Sequence, residues 1–84
     1  MGFVLYILQS SKSGKLYIGQ TQNLEDRLKR HNSGYSKSTK FETPWEIIYT
    51  EEFATRAEAM KREKYLKNLK NPKYILQNIA RNID

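Results

Sequence analysis

The chain opens on a short, nearly unbroken apolar run, Phe3–Gln9 (FVLYILQ), rich in branched and aromatic residues. A run this short and this apolar predicts a strand buried on both faces. SSKSGK at 10–15 is turn chemistry, with Gly14 free to adopt a positive φ, and Leu16–Gly19 predicts a second strand returning antiparallel. From Leu24 the rhythm changes. Leu24, Arg27, Leu28 and His31 stand at i, i+3, i+4 and i+7, the helix face that ordinarily turns toward a core. Asn23 is suited to cap this helix and Asp26 to sit in its first turn. The helix is predicted to stop near Asn32–Gly34, in the polar stretch HNSGYSKSTKFETP. Trp45–Phe53 then alternates, with Trp45, Ile47 and Tyr49 on one side and Glu46, Ile48 and Thr50 on the other, which predicts a half-exposed third strand. TRAE at 55–58 is a capping box that starts a second helix, running to about Leu69. Lys73–Ala80 predicts a short closing helix. The order ββαβαα implies an α+β fold, a small three-stranded antiparallel sheet flanked by helices.

A cation on the inward stripe of the first helix needs a partner or a purpose, and Arg27 and His31 both sit there. Eighty-four residues leave room for one core, so 1–84 reads as a single domain. There is no cysteine and only one histidine, which removes disulfides and a thiolate or His-rich zinc site. A metal here would rest on carboxylate, phosphate and water oxygens, which suits Mg²⁺ or Mn²⁺. The apolar runs are too short to span a bilayer and Met1 is present, so a cytoplasmic protein with no membrane partner is expected.

Charge sharpens the picture. Residues 12–40 hold seven Lys/Arg against two Asp/Glu, residues 41–59 one against five, and residues 60–84 seven against two. Two basic segments around an acidic one suggest a surface for a polyanion, against the plainer reading of a basic surface kept for solubility.

Leu5-Tyr6-Ile7, a hairpin loop and Tyr17-Ile18-Gly19 resemble the paired triplets of the GIY-YIG nuclease superfamily, with Leu5 where the name has glycine. QTQNLEDRLKRH, a Thr-Lys, a Pro-Trp strand and EAMKREKYLK follow in the order of those domains. The resemblance covers essentially the whole chain and is closest to the small standalone, UPF0213-like members. It extends to the N-terminal domain of the excision-repair nuclease. It implies divalent-metal-dependent hydrolysis of DNA phosphodiesters, with Mg²⁺ or Mn²⁺ as cofactor. Branched, flap or damaged DNA would be the substrate, in repair or recombination, and a protein partner is compatible with it. Carried over by position, the catalytic residues are Tyr6, Tyr17, Arg27, His31 and Glu63, with Glu63 the metal ligand. PKYI puts Ile75 where larger relatives have an asparagine, and Gln20 stands where some relatives have a lysine, so neither role is assigned.

Each of these residues has a plainer reading. Glu63 lies on the inner stripe of the second helix, where a carboxylate either holds a cation or pairs with Arg27. Strand tyrosines commonly only pack and hydrogen-bond at their tips. A tyrosine flanked by a metal and an arginine can act as general base, a role the resemblance gives to Tyr17, with Tyr6 and His31 as alternatives. His31 otherwise orients a tyrosine or fills space. Arg30, Lys37 and Lys40 are suited to phosphate contacts, the two lysines from a polar loop whose alternative is simple solvation. A noncatalytic nucleic-acid-binding module on the same scaffold is the competing function.

Overall fold

The computed structural model describes residues 2–33 and 42–79. Its elements are β1 (Phe3–Ser10), β2 (Leu16–Thr21), α1 (Leu24–Asn32), β3 (Trp45–Phe53), α2 (Arg56–Leu69) and α3 (Pro72–Tyr74), the last running on as a π-helical turn over Ile75–Ile79. The three strands form one antiparallel sheet in the order β2-β1-β3. This is the α+β arrangement that the apolar pattern predicts, with β1 and β2 extending slightly beyond the expected limits and β3 keeping them.

β1 is central, and its alternation decides what each face holds. Leu5 and Ile7 point to one side, where they pack with Ile18, Leu66 and Ile75 beneath α2 and the closing turn. Tyr6 and Leu8 point to the other, where they meet Trp45 and are covered by Leu24 and Leu28 of α1. All four β1 side chains are at most 1% exposed, which is why this strand reads as a continuous apolar run rather than an alternating one. Burying a leucine or isoleucine fully contributes about 1.5–3 kcal/mol, so β1 anchors both layers.

β3 does not keep the strict alternation its sequence suggests. Leu8 pairs with Ile47 but Ile7 pairs with Tyr49, leaving Ile48 as the extra residue of a bulge. Trp45 and Ile47 therefore pack on the α1 side while Tyr49 packs on the α2 side, so the three do not share a face.

The helix starts are fixed by local chemistry. Asn23 accepts from the Asp26 amide, Thr55 from the Glu58 amide and Asn71 from the Tyr74 amide. The capping box closes through side chains, because the Glu58 carboxylate accepts from the Thr55 hydroxyl. α2 ends at Lys70, a non-glycine residue in the left-handed conformation at φ 49°. No described helix is long and apolar enough to cross a membrane.

Candidate active site

The α1 face of the sheet carries an aromatic cluster built from four separate stretches of chain. Tyr6 of β1 and Tyr17 of β2 stack with centroids 6.3 Å apart. His31, in the last turn of α1, packs its ring 4.5 Å from Tyr17 and edge-on to Tyr6 at 6.2 Å. Trp45, at the start of β3, closes the group at 6.3 Å from Tyr17 and 6.5 Å from His31. Asn32 holds that corner together: its Oδ1 accepts from the Trp45 amide at 2.6 Å and its Nδ2 donates to the Trp45 carbonyl at 3.2 Å. Neither Trp45 nor Asn32 was singled out by sequence reasoning. An asparagine in the last helical turn carries no signal that its amide will clamp a strand thirteen residues on.

Burial separates the two tyrosines. Tyr6 is 1% exposed, whereas Tyr17 is half-buried and also lines a cavity on the α2 side with Lys67 and Lys70. Burial pushes the Tyr6 phenol up to about 12, reinforced by Tyr17 and the Glu63 carboxylate; Arg27 opposes them through its charge and a hydrogen bond. The Tyr6 hydroxyl lies 3.4 Å from His31 Nε2, a long contact. His31 is 5% exposed, and burial, with the Arg27 charge, lowers its pKa from the usual 6.5. The imidazole is therefore neutral at pH 7. A neutral ring has one donor and one acceptor nitrogen, and its tautomer sets which way the Tyr6–His31 contact runs.

The other expected site residues fall in different places. Arg27 does not share the buried side of α1 with His31. It is exposed, and reaches the cluster by its length, through Tyr6. Glu63 is half-buried on α2, near enough for its charge to act on Tyr6, yet its ion-pair partner is Lys67 at 2.7 Å rather than Arg27. Arg30 is exposed and paired with Asp26 at 3.2 Å. Lys37 and Lys40 lie outside the described residues.

Among the described residues no three histidine, aspartate or glutamate side chains gather as a ready-made metal cage. Mg²⁺ and Mn²⁺ do not need one, since such ions keep several waters and take one or two carboxylates together with substrate phosphate. Glu63 offers such a carboxylate: it is only partly solvated, and Lys67 Nζ engages its Oε2.

A model of the GIY-YIG catalytic domain matches residues 2–75. The chain belongs to the GIY-YIG family. Among its relatives, the UPF0213 protein of Bacillus licheniformis is 46% identical over 65 residues, 76% of this chain and 66% of that protein. The UPF0213 protein of Streptococcus pneumoniae serotype 4 is 37% identical over 83 residues, 94% of this chain and 83% of the relative. The fold is similar to the solution NMR structure of the UPF0213 protein BH0048 from Bacillus halodurans, with a TM-score of 0.59 and 32% identity, covering 99% of this chain and 87% of that one. GIY-YIG domains form a nuclease family that generally uses divalent metals, and the UPF0213 names specify no activity.

Proposed function

We propose that this protein, a single domain over residues 1–84, is an endonuclease that hydrolyses DNA phosphodiesters with Mg²⁺ or Mn²⁺. The observation that carries this reading is the asymmetry of the two tyrosines. Tyr6 is sealed in the core with its phenol raised to about 12, while Tyr17 stays half-exposed against a neutral His31. Tyr6 then serves as a fixed donor to His31, and Tyr17, once its hydroxyl proton has passed to solvent, presents the phenolate oxygen that accepts a proton from an attacking water. Arg27, which stands outside the core but reaches Tyr6, neutralises charge on the phosphate as it builds up. Glu63 would hold the divalent ion, with water and phosphate oxygens completing the shell. When bound, that ion supplies further positive charge at the phosphate and lowers the pKa of the attacking water.

So little surface favours recognition of DNA shape over sequence, which makes flaps, branches and damaged sites the better substrates. A protein partner and a cytoplasmic setting in repair or recombination are compatible with this reading. One observation favours a second reading, a noncatalytic module that binds nucleic acid. The candidate metal ligand is already neutralised by Lys67.

The test is incubation with labelled single-stranded, duplex, flap and branched DNA, each with Mn²⁺ and with EDTA. Mn²⁺-dependent nicking of the flap or branched forms supports the enzyme. Binding to DNA in Mn²⁺ without any cleavage supports the module. No binding to any form removes both.

A further inference from the structure

A second polar site lies where the end of β2, the start of α1 and the start of α2 meet. Its cavity, about 230 Å³, is lined by Arg27, Arg30 and Arg56 together with Gln20, Gln22 and Asp26. Three guanidiniums face one carboxylate across this space. Among the described residues, the ion-pair partner of Asp26 is Arg30, at 3.2 Å. Arg56 is held over the Phe3 ring, 5.8 Å from its centroid, a contact that orients the group and leaves its donors uncommitted to that ring. Gln20 also lines the wall; its buried Oε1 has no hydrogen-bond partner, and because that atom is an acceptor the side chain can serve a phosphate only through its Nε2 donors.

We infer that this cavity is a phosphate subsite, taking a phosphate of the nucleic-acid strand next to the one that is cleaved. The inference deepens the nuclease reading and rests on it. Arginine is the residue suited to the role, because its planar fork bonds phosphate oxygens in pairs and keeps its charge at every working pH. The volume accommodates a phosphate group, and three guanidiniums suit phosphate oxygens, so the site is a strand anchor. Arg27 ties it to the chemistry. The same side chain lines this cavity and reaches the Tyr6 hydroxyl, so a phosphate seated here holds the strand in register with the aromatic cluster. Arg56 is the residue this adds to the strand-holding surface, beside Arg30, which the sequence already suited to phosphate contact. They are remote in sequence, Arg30 in the last turn of α1 and Arg56 in the first turn of α2, and the cavity they line also includes Phe3 and the end of β2.

The phosphate that fits the cavity has two sources, an internal diester or a terminal monoester. Affinity is measured in EDTA, across a salt series, for oligonucleotides of equal length with and without a 5′-phosphate. Each phosphate neutralised contributes about −0.9 to the log–log salt slope. Arg30→Gln and Arg56→Gln should each weaken binding several-fold and flatten the slope by about one unit. Arg56→Lys should keep the slope, which separates lost charge from lost packing on Phe3. Asp26→Asn should act in the opposite direction and tighten binding, because it removes the one carboxylate that competes with phosphate for Arg30. A 5′-phosphate that tightens wild-type binding, with the gain lost in Arg56→Gln, identifies the terminal group; equal loss on both oligonucleotides identifies the internal diester. If wild type binds DNA while both glutamine variants match it in affinity and slope, the subsite is overturned and the nuclease reading stands. If wild type shows no salt-dependent binding at all, both fall together.

Discussion

Gly19 and Tyr6 face each other across the β1–β2 pair, and the missing side chain at Gly19 is what lets the Tyr6 ring lie over β2. A Cβ at Gly19 would stand 2.6 Å from the Tyr6 hydroxyl oxygen and 2.8 Å from the carbon that bears it. The ring cannot swing away, since it is packed among Leu8, Trp45, Tyr17 and the leucines of α1. Gly19→Ala is therefore expected to destabilise the protein by about 1–3 kcal/mol, the usual range for overpacking a filled core. It should also displace Tyr6 from His31. Adding Tyr6→Phe removes the nearer of the two clashing atoms, so the double variant should be less destabilised than the sum of the singles. Urea melts of the four proteins measure that coupling, and strict additivity would mean the two residues do not press on each other.

Conservative removal of each phenol oxygen distinguishes the two tyrosines. Tyr17→Phe should cut Mn²⁺-dependent cleavage by about 10²–10⁴-fold, the range ascribed to a positioned general base. Tyr6→Phe should reduce it much less and cost about 1 kcal/mol of stability through the hydrogen bond lost to His31. Cleavage rates and melting midpoints for the pair decide the matter. Full activity in Tyr17→Phe with collapse in Tyr6→Phe would reverse the two roles.

What the sequence could and could not disclose follows from the range over which each feature is built. The burial of β1 on both faces is written in FVLYILQ itself, and the caps at Asn23 and Thr55 are contacts within three residues. The bulge at Ile48 is not local. WEIIYTEEF alternates smoothly, and only pairing with β1 on one side, with apolar demand on both faces, makes one residue surplus. Glu63 has the same lesson. An ion pair with Arg27 spans two elements and could only be supposed, whereas the Lys67 pair is an i,i+4 contact within α2 that the spacing already offered. Tyr6 and Tyr17 were found through family resemblance and their roles rest on it, whereas Trp45 joins the site only through the fold. The resemblance marked Gln20 only as standing where some relatives have a lysine, and Arg56 had no such guide, because the cavity they share exists only once three elements converge.

His31 should make stability pH-dependent in a definite direction. Its folded-state pKa lies below the 6.5 of the free side chain, chiefly through burial and then through the Arg27 charge. Between those two values the unfolded chain holds the proton more tightly than the folded one, so lowering the pH favours unfolding. The contribution is intact above about pH 6.5 and is lost progressively as pH falls toward the folded value. Melting temperature followed from pH 7.5 to 5 should decline more steeply in wild type than in His31→Gln. NMR titration of the imidazole gives the same answer directly, and a midpoint above 6.5 would contradict it.

Two glutamates on α2 should respond in opposite ways to replacement. Glu58 accepts from the Thr55 hydroxyl at 3.1 Å and stands in the first turn, so its work is structural. Glu58→Ala is expected to lower stability by about 0.5–2 kcal/mol, as loss of a helix cap does, and to leave cleavage near wild type. Glu63 contributes less to the fold. Its partner Lys67 has a side chain 54% exposed, and an i,i+4 helical pair of this kind stabilises by only about 0.2–0.5 kcal/mol. Glu63→Gln should therefore melt in EDTA within a degree or two of wild type, yet lose any stabilisation that Mn²⁺ gives and all metal-dependent cleavage. DNA affinity in EDTA should hold or rise, because the substitution removes a negative charge and releases the Lys67 ammonium. Melting of both variants in EDTA and in Mn²⁺, with cleavage in Mn²⁺, separates the roles. A Glu63→Gln protein that still cuts DNA would remove this carboxylate from the metal site, and one that melts far below wild type in EDTA would make its charge a structural requirement of α2.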